Sequence, residues 1–226
     1  MATIKKGDFV EIEYTGKLKE TGDVFDTTDE NIARAHDIYN EKTEFGAAIV
    51  CIGESHLIDG LDKEIEGKET EKEYTIDISP EQAFGKKNPQ LLRMIPASVF
   101  KKEDIQPVVG LQVAVDGMMG IVKTANSGRI IVDFNHPLAG KEIVYEIKVN
   151  KIIEDAKEQV KALLKLSLGK VDVKIEEDKA TIALKKDIPK EIQEELIKKI
   201  TTLTKIKKVE FSIKKEAEKD NATIEK

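Results

Sequence analysis

The chain has 226 residues, of which 40% are hydrophobic and 35% charged, with a formal net charge of −6. The apolar content suffices for a packed core and argues against global disorder, while the negative balance argues against a nucleic-acid binder that relies on a broad basic face. The charged fraction exceeds the roughly 25% of ordinary soluble domains, a composition suited to a thermophile, because hydrating charges becomes less favourable on heating.

In chain order, the first stretch is strand-rich. Val10, Ile12 and Tyr14 alternate with charged residues, as do Tyr74, Ile76 and Ile78. Between them residues 27–44 are polar, and ENIARAHDIYN (residues 30–40) suits a short helix within a long loop. From about residue 86 to 134 the character changes. Met94, Ile95, Val99 and Phe100 cluster, strand-like segments follow at residues 111–115 and 120–122, and DG (Asp116, Gly117) and NSG (residues 126–128) signal turns. A small β-rich module is predicted. Ile143, Tyr145, Ile147 and Val149 then alternate in a strand resembling the opening ones.

A second shift comes near Ile153, beyond which Gly169 is the only glycine and Phe211 the only aromatic residue. Ala156, Val160, Leu163 and Leu164 form a helical stripe. Val171, Val173 and Ile175 alternate, then Ala180, Ile182 and Leu184. Pro189 suits the first turn of a helix whose buried face is Ile192, Leu196, Ile200 and Leu203, and Val209, Phe211 and Ile213 close with a strand. The order α-β-β-α-β predicts a compact separate domain, with a polar segment from about residue 216 expected to fray.

Conventional chemistry is missing. His36, His56 and His136 stand apart, with no HExxH or CxxC spacing, so no metal is expected. There is no P-loop, no GxGxxG after a strand and no Gly-x-Ser-x-Gly elbow, and no cofactor is expected. Cys51 is the single cysteine, which forbids an intramolecular disulfide; it lies in AAIVCIG and reads as a buried inert thiol. The start, MATIKKGDFVEIEY, has no signal-peptide core, and no apolar run approaches the roughly 18–20 residues of a membrane span. A cytoplasmic protein without a membrane partner is expected.

Five segments in order resemble the FK506-binding-protein (FKBP) family of peptidyl-prolyl isomerases: IEYTGKL (residues 12–18), VFDTT (24–28), IGESHLIDGLDKEIEG (52–67), ISPEQAFG (78–85) and IVYEIKV (143–149). DFNHPLAGKE (133–142) and the insert after AFG are similar to the SlyD-type branch, in which a chaperone module interrupts the flap of the isomerase domain. The resemblance covers residues 1–153; the tail is more loosely similar to long archaeal members. It implies an α+β fold: an antiparallel half-barrel sheet around a short helix (residues 1–85 with 134–153) and a β-rich insert-in-flap domain (86–133), to which the element pattern adds a C-terminal αββαβ domain (154–226). It further implies that Tyr14, Phe25, Asp26, Leu57, Ile58, Leu61, Phe84 and Tyr145 line an apolar catalytic cavity. Leu61 stands where the best-known members carry tryptophan, and Phe84 where tyrosine is common, which puts tight macrolide binding in question. The His/Cys-rich tail of several bacterial SlyD proteins is lacking, so nickel delivery is not supported.

Such a cavity needs no nucleophile. Rotation about an X–Pro bond breaks no bond but faces a barrier of roughly 20 kcal/mol, and a dry pocket favours the twisted, less polar amide over the solvated planar one. Asp26 is expected to interact with the twisting imide or to orient Tyr14; the plainer alternative is a turn-capping carboxylate. In the insert, Leu91, Leu92, Met94, Ile95, Val99, Phe100, Met118 and Met119 offer more apolar surface than a module of its size needs, and some are expected to capture unfolded segments. The expected partners are unfolded polypeptides and proline-containing peptides, with no nucleic acid. For the tail, a homodimer surface competes with a second client surface. The rival reading of the whole chain is a non-catalytic binding or holdase module on the same fold, and a weaker third is a ribosome-associated factor.

Overall fold

A computed structural model describes residues 1–126 and 128–213, with Leu166 described by its backbone alone. The polar segment from residue 216 and the centre of the NSG turn lie outside the described residues. The architecture is mixed α+β, and among the described residues every strand pair is antiparallel except one.

Alternation builds the first sheet. In β1 (Phe9–Leu18), Val10 and Ile12 are fully buried on the concave side, while Phe9 turns to the other. β2 (Val24–Thr27) folds back on the second half of β1, with Gly16 opposite Asp26 and a bulge between Gly16 and Lys17. α1 (Glu30–Ala35) starts at Asp29, whose carboxylate accepts from the N–H groups of Asn31 and Ile32. The long loop beyond it is pinned by rings: Arg34 sits 3.5 Å over Tyr39, which stacks on Phe45. β3 (Ala48–Cys51) pairs with the first half of β1, and α2 (Asp59–Ile65) then packs Leu61 and Ile65 against the sheet. A Cβ at Gly60 would lie 2.5 Å from Ile78 Cγ2, so only glycine lets α2 approach β4 (Lys72–Ile78) this closely.

The next five elements form their own layer. β5 (Leu92–Pro96), α3 (Ala97–Lys102), β6 (Gln112–Val115), β7 (Met118–Asn126) and β8 (Arg129–Asp133) give a four-stranded sheet of order β5-β8-β7-β6, with Asp116 and Gly117 turning the β6–β7 hairpin. β9 (Ile143–Ile152) then inserts between β1 and β4, completing the order β2-β1-β9-β4 with β3 on β1. Ile78 and Ile143 are register partners, so the whole interruption leaves and re-enters at adjacent strand ends. The junction is laced: Asn88 N–H donates to Asn135 Oδ1 (2.8 Å), Asn135 Nδ2 donates back to Asn88 O (3.1 Å), and Gly140 N–H donates to Gly85 O (2.8 Å).

The C-terminal elements are α4 (Ala156–Leu168), β10 (Asp172–Glu176), β11 (Lys179–Leu184), α5 (Lys190–Leu203) and β12 (Lys208–Ile213), with β11 antiparallel to β10 and parallel to β12. Their core is not self-contained. Val160, Leu163 and Leu164 of α4 pack with Phe9, Cys51 and Ile153 in one cluster, so the outer face of the β1–β3 pair belongs to the tail's core. The tail thus builds its core on residues of the first sheet as well as its own. One residue assigned to the buried face of α5 is exposed, Ile192, which lies a turn beyond what packs on that helix; Ile213, at the end of the edge strand β12, is exposed as well. Pro189 sits one residue before α5, as its cap. Phe9→Ala would empty a site shared by both halves and is expected to cost about 3–5 kcal/mol, read as one cooperative shift in denaturant unfolding. Two separated transitions, with only one displaced, would show that the halves fold independently.

Candidate functional site

Strand alternation and the α2 seat bring all eight predicted residues to one place. Tyr14, Phe25, Leu57, Ile58, Leu61, Phe84 and Tyr145 belong to a single apolar cluster, with Leu61 and Tyr145 buried and the other five half-buried. The rings meet edge to face: Tyr14–Tyr145 at 5.7 Å, Phe25–Tyr145 at 5.8 Å and Phe25–Phe84 at 6.0 Å between centroids. Such contacts are favourable for aromatic quadrupoles and hold the rings without filling the space between them. Gly16 makes this possible, because a Cβ there would lie 2.8 Å from Phe25 Cζ and 2.9 Å from Tyr145 Cε1.

Asp26 is the polar element of the cage. Burial pushes its carboxyl above the ordinary aspartate value, against hydrogen bonds from the Tyr14 hydroxyl and the Thr27 backbone that pull it down. Burial likewise pushes both Tyr14 and Tyr145 phenols above their ordinary value, with the nearby Asp26 charge adding to it, so both remain neutral donors. The threonines of FDTT staple β2 to β1. Thr28 Oγ1 accepts from Tyr14 N–H (2.9 Å), Thr28 N–H and Thr27 Oγ1 donate to Tyr14 O (2.9 and 3.1 Å), and the Thr15 and Thr27 hydroxyls meet at 2.8 Å. These bonds fix Asp26 next to Tyr14.

The sequence reading missed His136. Its ring lies flat on Phe84, with centroids 4.6 Å apart and planes 3° from parallel, and its Nδ1 accepts from Leu138 N–H at 3.2 Å. That bond leaves the ring proton of the neutral form on Nε2, a donor at the exposed edge of the cage. The signal was present in the NHP step of DFNHPLAGKE, beside the junction. His56 is structural: its Nδ1 accepts from Cys51 N–H at 3.1 Å, and burial lowers its pKa. The Cys51 thiol is pushed up to about 12 by burial and by neighbouring carboxylates. Among the described residues no group of three or more His, Cys, Asp or Glu side chains converges as a metal site, and no helix is long and apolar enough to cross a membrane.

The insert candidates divide. Ile95 and Phe100 are buried in the module's own core with Val113, Val122, Ile130 and Val132, which corrects their assignment as client contacts. Leu91 and Met118 are half-buried. Leu92, Val99, Met94 (60% exposed) and Met119 (64%) do face solvent. Ile105, Val108 and Val109, in the loop between α3 and β6, are exposed as well and were missed, because a loop has no alternation to reveal them.

Comparison with known proteins agrees with this geometry. A family model described as "FKBP26, IF domain" matches residues 93–138. The chain is 33% identical over 149 residues to a short-type peptidyl-prolyl cis-trans isomerase of Methanocaldococcus jannaschii, covering 66% of this chain and 94% of that protein. It is 34% identical over 101 residues to the FKBP-type peptidyl-prolyl cis-trans isomerase SlyD of Vibrio cholerae, covering 43% of this chain and half of that one. It is also 33% identical over 110 residues to the FKBP-type 16 kDa peptidyl-prolyl cis-trans isomerase of Escherichia coli, 46% of this chain and 73% of the relative. The chain belongs to the FKBP-type peptidyl-prolyl cis-trans isomerase family.

Proposed function

We propose that the chain accelerates cis–trans isomerisation of X–Pro bonds in the cage of Tyr14, Phe25, Asp26, Phe84 and Tyr145, and that the insert holds unfolded segments for it. The observation that carries this reading is the convergence of residues from five separated segments on one ring-walled site around a desolvated carboxylate. A proline ring packed against Phe25, Leu61 and Tyr145 leaves water, and its preceding amide follows. Twisting that amide removes resonance and polarity, so the dry site favours the twisted form over the planar one. Each tenfold acceleration corresponds to about 1.4 kcal/mol of such preference. The developing pyramidal nitrogen and freed carbonyl meet the Tyr14–Asp26 pair and His136 Nε2–H as polar neighbours.

The insert supplies capture. Exposed methionines on the small sheet, with exposed valines on α3 and in the loop before β6, suit varied apolar partners, and the short laced junction keeps a captured segment near the cage. The insert-in-flap arrangement, the domain limits 86–133 and 154–226, a cytoplasmic setting and dimerisation through the tail belong to the same reading.

A prolyl tetrapeptide assay tests the catalytic half. The wild-type chain is expected to accelerate isomerisation, and Gly16→Ala, whose methyl would intrude between Phe25 and Tyr145, to lose about tenfold or more in kcat/KM. A wild-type chain inert on the peptide would favour the rival binding-module reading.

A further inference from the structure

Away from the cage, a cleft of about 960 Å³ opens where β3, α4 and the adjoining ends of β10 and β11 meet. That volume is at the upper end of the roughly 300–1,000 Å³ typical of small-molecule sites, which favour the seams between packed units. The floor is hydrocarbon, made by Ile49, Ala162, Leu168, Leu184 and Ile188. The rim carries five lysines against three carboxylates. Three of the lysines are engaged: Lys165 and Lys170 with Glu44 at 3.3 and 2.6 Å, and Lys161 with Glu158 at 2.9 Å. Lys185 and Lys186, exposed side by side just after β11, form no ion pair with any carboxylate among the described residues.

We propose that this cleft binds a single-chain anionic amphiphile, with its alkyl body on the hydrocarbon floor and its anionic head at Lys185 and Lys186. The floor explains the body: its side chains carry no polar atom, so they suit a ligand that brings none. A polypeptide strand fits less well. The β11 backbone is already bonded on both sides to β10 and β12, so a strand could pair only along the outer edge of β10 or β3, and an amide laid on the hydrocarbon floor itself has no partner there, which is costly. The rim explains the head, because a neutral chain would gain nothing from two ammonium groups that pair with no carboxylate among the described residues, whereas a carboxylate or phosphate gains charge-assisted hydrogen bonds. This site is independent of the isomerase reading, since its lining residues are not those of the cage.

Calorimetric titration of the full chain with decanoate tests the proposal, against 1-decanol (same body, no charge) and butanoate (same head, short body). Saturable binding of decanoate is expected, with both controls weaker by about tenfold or more. The exposed double substitution Lys185→Glu/Lys186→Glu is expected to weaken decanoate by a similar factor, with an unchanged circular dichroism spectrum and unchanged prolyl-peptide isomerisation. Amide chemical-shift changes should centre on residues 161–171 and 183–188. Absence of saturable decanoate binding, equal affinity for decanol, an unaffected double variant, or shifts centred on the insert would each overturn it. Preference for an acidic, leucine-rich peptide over decanoate would give the cleft to a polypeptide and overturn it equally.

Discussion

Excising residues 86–133 is expected to leave tetrapeptide isomerisation within about twofold while the acceleration of a proline-limited protein refolding reaction falls about 100-fold, the scale of an effective-concentration advantage. The asymmetry follows from how the two parts are joined. The cage is complete without the insert, since its residues lie in β1, β2, the stretch from Leu57 into α2, the segment after β4 and β9, and His136 follows the excised stretch. The chain leaves and re-enters the sheet at the paired residues Ile78 and Ile143, and between there and the insert Gly140 N–H already reaches Gly85 O at 2.8 Å, so a short linker can close the excision. A peptide small enough to diffuse into the cage gains nothing from capture; a protein chain does. A gentler variant separates capture from architecture: Met94, Val108, Val109 and Met119 are all exposed, and changing these four to serine should slow refolding catalysis without loosening the core of Ile95, Phe100 and Val132. If refolding rates are the same with and without the insert, capture is refuted.

Asp26→Asn is expected to move activity and stability in opposite directions. Asparagine keeps an acceptor for the Tyr14 hydroxyl but removes the charge, so kcat/KM should fall by about tenfold or more if the carboxylate acts on the twisting imide. Stability should rise. The folded protein holds the Asp26 carboxyl above its ordinary value, chiefly through burial, so its contribution to stability is full below the unfolded aspartate value of about 4 and is lost as pH rises through the folded one. At about pH 7 the wild type therefore carries a desolvated charge that the variant lacks, and the difference in Tm should shrink below about pH 4. Unchanged kcat/KM would reduce Asp26 to a turn-capping residue; a Tm difference independent of pH would contradict its desolvation.

Much of this was legible in the sequence where side-chain period and burial coincide. Val10, Ile12 and Tyr14, then Ile143, Tyr145 and Ile147, alternate because one face of their sheet is covered by α2. The ring cage was foreseen only through the resemblance to the FKBP family that the five short segments carry together. The failures have physical causes. Phe9, Ile49 and Cys51 project from the opposite face of the same strands, and nothing in a two-residue period says which element will cover that face. Ile95 and Phe100 are as apolar as Met94 and Val99, and only the packing of the small module separates core from surface. His136 was passed over, although DFNHPLAGKE marked its segment, because its partner, Phe84, is 52 positions away in the chain, and the two rings meet only in the folded protein.

The junction itself has an evolutionary consequence. Two chain ends that part at neighbouring strands stand about 4.8 Å apart, which nearly any hairpin-terminated module can span. If residues 86–133 are the capture unit proposed above, that unit can be exchanged whole, giving the isomerase a new clientele while the rings, glycine and carboxylate beneath it stay as they are.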